Sequence, residues 1–189
     1  MYEAKGYSFE LNEDMLSLLA SEFDPGRVVE RFAQAIAGKK VGELEDIGRR
    51  IFGEYGADMM KRGLQLGEEY SDRTYEVLRA ASDKTGGYLA FPLIPQRNIE
   101  IAFLGVHELY TLPIIENSPD RFVFRMVDCA VNRGLKERCG QEVADLLPCG
   151  QGCINACEEA FTGHGIDVIA RMDATMPKEG YCEFVIQRA

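Results

Sequence analysis

Six cysteines, Cys129, Cys139, Cys149, Cys153, Cys157 and Cys182, lie in the last third of the chain, and residues 1–128 hold none. A thiolate is a soft ligand for zinc or an iron-sulfur cluster, a nucleophile where its pKa is lowered, and a small buried group otherwise. The stretch CGQGCINAC spaces Cys149, Cys153 and Cys157 four residues apart. On one continuous helix these sulfurs share a face but spread over roughly 12 Å, too far for one ion to take all three. Either Cys149 with Cys153 or Cys153 with Cys157 would give two ligands. Cys129, at a strand end, and Cys182, in the last strand, would give two more, enough for tetrahedral zinc or for an iron-sulfur cluster. The spacing is neither that of zinc ribbons nor that of ferredoxins, so buried structural thiols and reactive thiols remain open readings. A helix start near Gly150 to Gly152 favours reactive thiols, because a helix N-terminus lowers a thiol's pKa.

The other candidate groups surround this stretch in sequence. His164, in TGHG just after the cysteine helix, could complete a metal site or exchange protons near neutral pH, or simply be a solvated loop residue. His107 is expected to be an ordinary, partly buried residue. Asp128, Glu158 and Glu159 adjoin cysteines and could polarise a metal-bound water. Glu158 or His164 would then be the base, and Arg125 or Arg171, on strand patterns, would hold a substrate carboxylate. No phosphate-binding glycine loop, dinucleotide fingerprint, HExxH or serine nucleophile elbow occurs.

The elements that must position these groups change character along the chain. After an irregular opening, NEDMLSLLASEF predicts a helix capped by Asn12, and DPGRVVERFAQAIAG a second one. Residues 41–70 keep helical periodicity despite five interior glycines, each costing about 1 kcal/mol against alanine. Close helix packing with a break near Gly63 to Gly67 is one account, and a backbone lining a cavity is the other. Ser71 to Lys84 forms a further helix closed by TGGY. NIEIAFLGVHELY and RFVFRMVDC alternate as half-buried strands do, and TLPIIENSPD connects them. NRGLKERCGQEVADLLP reads as one helix stopped by Pro148, CINACEEAF as a shorter helix, and GIDVIARMDATM and YCEFVIQR as an antiparallel hairpin around PKEG. Helices first and a mostly antiparallel sheet later predict an α+β fold, with a single domain over 1–189 formed by an N-terminal helical extension, 1–40, and a core, 41–189.

Composition narrows the partners. The formal charge of −10 argues against a nucleic-acid surface or an anionic membrane. The opening residues lack a signal-peptide pattern, and no apolar run reaches spanning length. A reducing, cytoplasmic location is expected, where clustered cysteines are more often metal ligands or redox groups than disulfides.

The run from Phe122 to Phe184, with FRMVDCAVN, LPCGQGC, IARMDATM and KEGYCEF, resembles the 4-vinyl reductase domain and the related family named after L-2-amino-thiazoline-4-carboxylate hydrolase. The similarity covers about a third of the chain. It implies helices packed on a twisted antiparallel sheet, with a pocket for a small or apolar ligand, and places Cys129, one of Cys149 or Cys153, and Cys182 at the family's cysteine positions. Two features depart from the pattern. Ala174 stands where a cysteine is usual, and Gly180 lies two residues, not four, before Cys182. The resemblance implies a small-molecule-binding sensor or accessory protein, with zinc or an iron-sulfur cluster held by members of Cys129, Cys149, Cys153, Cys157 and Cys182 beside an apolar pocket. The rival is a metal-assisted hydrolase of a small cyclic thioimidate or amide, such as an amino-thiazoline carboxylate. A third reading is a dimeric structural protein with reduced, buried thiols. The expected ligand is a small apolar or carboxylate-bearing molecule.

Overall fold

A computed structural model describes residues 11–87, 90–107, 109 and 111–189. The irregular opening expected over 1–10, and Tyr88 and Tyr110 of the TGGY and HELY stretches, lie outside the described residues. The fold is α+β, as the element order predicts. Helices α1 (Glu13–Glu22) and α2 (Pro25–Ile36) begin where their caps lie: Asn12 Oδ1 accepts from Met15 N, Asp24 Oδ1 accepts from Gly26 N, and Pro25 opens α2. After them come α3 (Val41–Glu69), α4 (Arg73–Lys84) and α5 (Leu93–His107). Strands β1 (Ile114–Asn117) and β2 (Arg121–Met126) precede α6 (Ala130–Cys139), α7 (Gln141–Asp145) and α8 (Gly150–Thr162), and β3 (Val168–Ala174), α9 (Met176–Glu179) and β4 (Cys182–Arg188) close the chain. The antiparallel sheet has the order β1-β2-β4-β3.

Helix α3 runs 29 residues without the break expected near Gly63 to Gly67. Its five interior glycines are packing sites. A methyl group at Gly56 would fall inside the carbonyl of Gly152, and one at Gly152 would meet the carbonyl of Phe52. At Gly48 it would lie 2.7 Å from Pro148 Cβ, and at Gly63 and Gly67 it would reach Ala102 and Ile101 of α5. The helices α3 and α8 therefore cross backbone to backbone, which only hydrogen at both Cα positions permits.

The stretch NIEIAFLGVH, expected as a strand, is the body of α5. Leu93, Gln96, Glu100 and Leu104 are its partly exposed residues, three or four positions apart, and almost every other residue of the helix is buried. A helix enclosed on nearly all sides has little apolar periodicity to show, so the chance alternation of Ile99, Ile101 and Phe103 imitated a strand. One wall of its setting is ionic: buried Arg97 donates through Nε and Nη2 to both carboxylate oxygens of Asp72, at 3.0 and 2.8 Å. The same Asp72 caps α4 by accepting from Tyr75 N.

The other differences are local. The connection TLPIIENSPD contains β1, which pairs with β2 and carries a bulge between Ile114 and Glu116. The helix expected from Asn132 to Pro148 is two helices, broken at Gly140, whose φ of 89° glycine adopts without strain. The hairpin around PKEG holds, with the single turn of α9 between β3 and β4. Phe122, Phe124, Phe184 and Ile186 point from the sheet into a core shared with Phe103, Phe161 and Phe52.

Two glycine replacements in the same helix should have opposite signs. Gly42→Ala, at an exposed position with nothing near its added carbon, should raise stability by about 0.5–1 kcal/mol through helix propensity. Gly56→Ala should lower it by about 2 kcal/mol or more through overpacking. Urea denaturation of the two variants against the parent measures both.

Candidate cysteine-lined site

The crossing of α3 and α8 leaves an apolar cavity between α3, α5 and the starts of α6 and α8. Its walls are Phe52, Tyr55, Gly56 and Met59 from α3, Phe103 and His107 from α5, Cys129 and Val131 at the start of α6, and Cys149, Gly152 and Cys153 at the start of α8. Its volume is about 20 Å³. That is room for about one water as it stands.

Two separate chain segments bring three thiols to the cavity wall, and a third segment sets Cys182 nearby. Cys129 follows β2 and caps α6, with Sγ accepting from Asn132 N at 3.4 Å. Cys149 stands at the N-cap position of α8 without a side-chain capping bond, and Cys153 sits in the first turn. Cys182 opens β4 opposite Met126, at the end of β2 from which the chain leads to Cys129. Two helix N-termini, with their partial positive charge, thus face the cysteines. Burial nevertheless dominates: it pushes Cys129 up to about 11 and raises Cys149, Cys153 and Cys182. Mutual repulsion of the charged forms adds to this. Cys129 and Cys182 push Cys149 upward, and Cys149, Cys129 and Cys182 push Cys153 upward. These thiols are protonated at neutral pH, the opposite of the lowered pKa that activates a nucleophilic cysteine.

His107 completes the group. It is buried, with Nδ1 3.8 Å from Cys129 Sγ, and its pKa falls to about 4, first through burial and then through Arg133, against an opposing pull from Asp128. The imidazole is therefore neutral, the form that binds metals. Tyr55 anchors the opposite wall by donating to Phe23 O at 2.7 Å. Burial raises its pKa, with Cys129 and Cys153 adding to the shift.

The structure separates the two helix pairings left open by the spacing. Cys149 and Cys153 line the cavity, whereas Cys157 is fully buried in the hydrophobic core and does not. Cys139 lies at the far end of α6. The remaining candidates are dispersed. His164 lines a different cleft with Tyr75 and Arg79, its Nε2 2.6 Å from Asn98 Nδ2, and its pKa is lowered by burial and by Arg79. Glu158 lies on α8 outside the cavity lining. Arg125 pairs with Glu183 at 2.7 Å and stacks on Tyr181, and Arg171 pairs with Asp173 at 2.8 Å on an outer strand. The sequence reading passed over His107, and with it Phe52, Tyr55 and Met59. Only the glycine row of α3, read there as either packing or cavity lining, signalled that helix.

As donors, neutral imidazole and thiols suit a soft metal or cluster. Their arrangement is convergent without being closed: among the described residues, no three His, Cys, Asp or Glu side chains stand together as a set that could hold an ion.

The depressed pKa of His107 has a defined consequence for acid stability. Below pH 6.5 the unfolded chain protonates this residue, and the folded chain resists until about pH 4. Stability is therefore lost as pH falls through that window, by about 3 kcal/mol in total from this residue. His107→Gln should remove that part of the slope, as read by urea midpoints between those two pH values in chelator-treated protein. No protein family, curated protein or solved structure matches the chain.

Proposed function

We propose that the protein is a small-molecule-binding sensor or accessory protein whose cavity is built around a cysteine-held zinc ion or iron-sulfur cluster. The observation that carries this reading is the convergence of Cys129, Cys149 and Cys153, from two distant segments, on one apolar cavity that also holds neutral His107, with Cys182 near enough to raise the pKa of Cys149. A bound cation supplies the positive charge that would offset the repulsion among their ionised forms, and it would be held by members of this set.

The chain's own residues support such a group in three ways. The N–H of Asn132 directed at Cys129 Sγ stabilises negative sulfur there. Phe52, Met59, Phe103 and Val131 exclude water and give the adjoining space an apolar lining suited to a small apolar molecule. His107, neutral and packed beside Phe103, is placed to hydrogen-bond a thiol or to ligate. Because the thiols start protonated, binding must release protons, and affinity should rise with pH.

Metal and acid-labile sulfide analysis, with a visible spectrum of protein purified without oxygen, tests the proposal. Stoichiometric iron with sulfide, or zinc alone, is the expected result, and it should be lost in Cys129→Ser and Cys153→Ser and retained in Cys157→Ser. Folded protein that contains no metal, and takes up neither zinc nor a reconstituted cluster, would overturn it. So would equal loss from Cys157→Ser and Cys153→Ser in variants with matched melting temperatures.

A further inference from the structure

His107 is a buried polar group with little to hold it. It ends α5 with 3% of its surface exposed, its ring beside that of Phe103 with centroids 5.9 Å apart. Among the described residues its one hydrogen-bond contact runs from Nδ1 to Cys129 Sγ at 3.8 Å, a long one even for sulfur. Buried imidazoles ordinarily find a stronger partner, because taking a polar group out of water without one is costly. His107 borders the cysteine cavity, as do Cys129, Cys149 and Cys153. Cys182 stands outside that lining, at the start of β4.

Two dimensions of the cavity fit a single ion. In tetrahedral zinc sites sulfur ligands lie about 2.3 Å and nitrogen ligands about 2.0–2.1 Å from the metal, which sets a sulfur and a nitrogen about 3.6 Å apart. The Nδ1 to Sγ separation of 3.8 Å is close to that edge. The volume of about 20 Å³ suits one water-sized occupant and is too small for the irons and sulfides of a cluster. The lining also supplies an imidazole, whereas clusters are commonly held by four cysteines.

Building on the reading of these cysteines as metal ligands, we propose that the cavity holds one zinc ion ligated by Cys129, Cys149, Cys153 and His107, with Cys182 beside it as an uncoordinated thiol. Among the described residues no donor set is closed, so Cys149 and Cys153 must turn their sulfurs towards the pair that Cys129 and His107 already make. Each of the three thiols releases its proton to solvent and gives a sulfur lone pair to zinc, and the imidazole gives a ring-nitrogen lone pair. Nothing is oxidised or reduced. Four protein donors leave no coordination position for water. The ion therefore ties the end of α5 to the starts of α6 and α8 and braces the apolar wall, and it generates no nucleophile.

Zinc-edge X-ray absorption of the native chain, stripped by chelator and reloaded with one equivalent of zinc, tests the ligand set without any substitution. Three sulfurs at about 2.3 Å and one nitrogen at about 2.0–2.1 Å are expected. Four sulfurs, or two, would overturn the assignment and leave the cysteine-held metal standing, as would iron with acid-labile sulfide in protein purified without oxygen. A chain that takes up no metal would overturn both. In competition titrations His107→Ala should weaken zinc binding at least about a hundredfold, more than loss of an outer-sphere partner causes. His107→Cys should restore it, and Cys182→Ser should leave it unchanged. Weakening by Cys182→Ser equal to that by His107→Ala would overturn the assignment, with melting curves of the zinc-free variants separating loss of a ligand from loss of fold.

Discussion

The backbone contact between Gly56 of α3 and Gly152 of α8 is the constraint on which the cavity depends. A side chain at either position would enter a carbonyl group of the facing helix, so the two axes can approach this closely only here. The approach brings the start of α8, with Cys149 and Cys153, against Phe52, Tyr55 and Met59 on neighbouring turns of α3. The intrinsic cost of glycines in a helix of 29 residues is offset by the contact they permit.

The sheet supplies the other half of the site by a separate route. Antiparallel pairing of β2 with β4 sets Met126 opposite Cys182, so the chain leaving β2 carries Cys129 past the beginning of β4. Cys129 then caps α6, which turns its sulfur towards helical N–H groups. Two helix starts and one strand start thus meet beside α5. The ionic clamp of Arg97 on Asp72 fixes α5 to α4 on its other side. Loss of one partner of such a buried pair generally costs about 3–5 kcal/mol, because the remaining charge stays out of water.

Two opposing electrical effects meet in the cavity. Helix ends and N–H groups favour thiolate, while burial and mutual repulsion favour thiol, and the second pair prevails. Without a cation these cysteines are poor nucleophiles and weakly polar wall residues. A positively charged group would reverse the balance, since it would act on all the thiols together. The same logic keeps His107 neutral: its enclosure makes an imidazolium costly whatever carboxylates lie near.

The sequence by itself determined the fold class, the extents of α1, α2 and α4, and the clustering of the cysteines in the last third of the chain. Asn12 and the DPG at Asp24 announce their helices because capping is a local hydrogen bond, and the alternating strands around PKEG declare a hairpin because pairing there is local too. It also put Cys153 and Cys157 on one helix, with Cys149 just before it. Only the tertiary structure decided that Cys153 opens on a cavity and Cys157 on the core, since the helix is packed differently around its two ends. It likewise decided that α5 is a helix, because enclosure on almost every side erases the periodicity that a surface helix displays. His107 and His164 show the same limit most clearly. The sequence placed His164 closest to the cysteines, and the fold brought His107 to Cys129 and sent His164 to a separate cleft, because contact depends on how elements cross and not on separation along the chain.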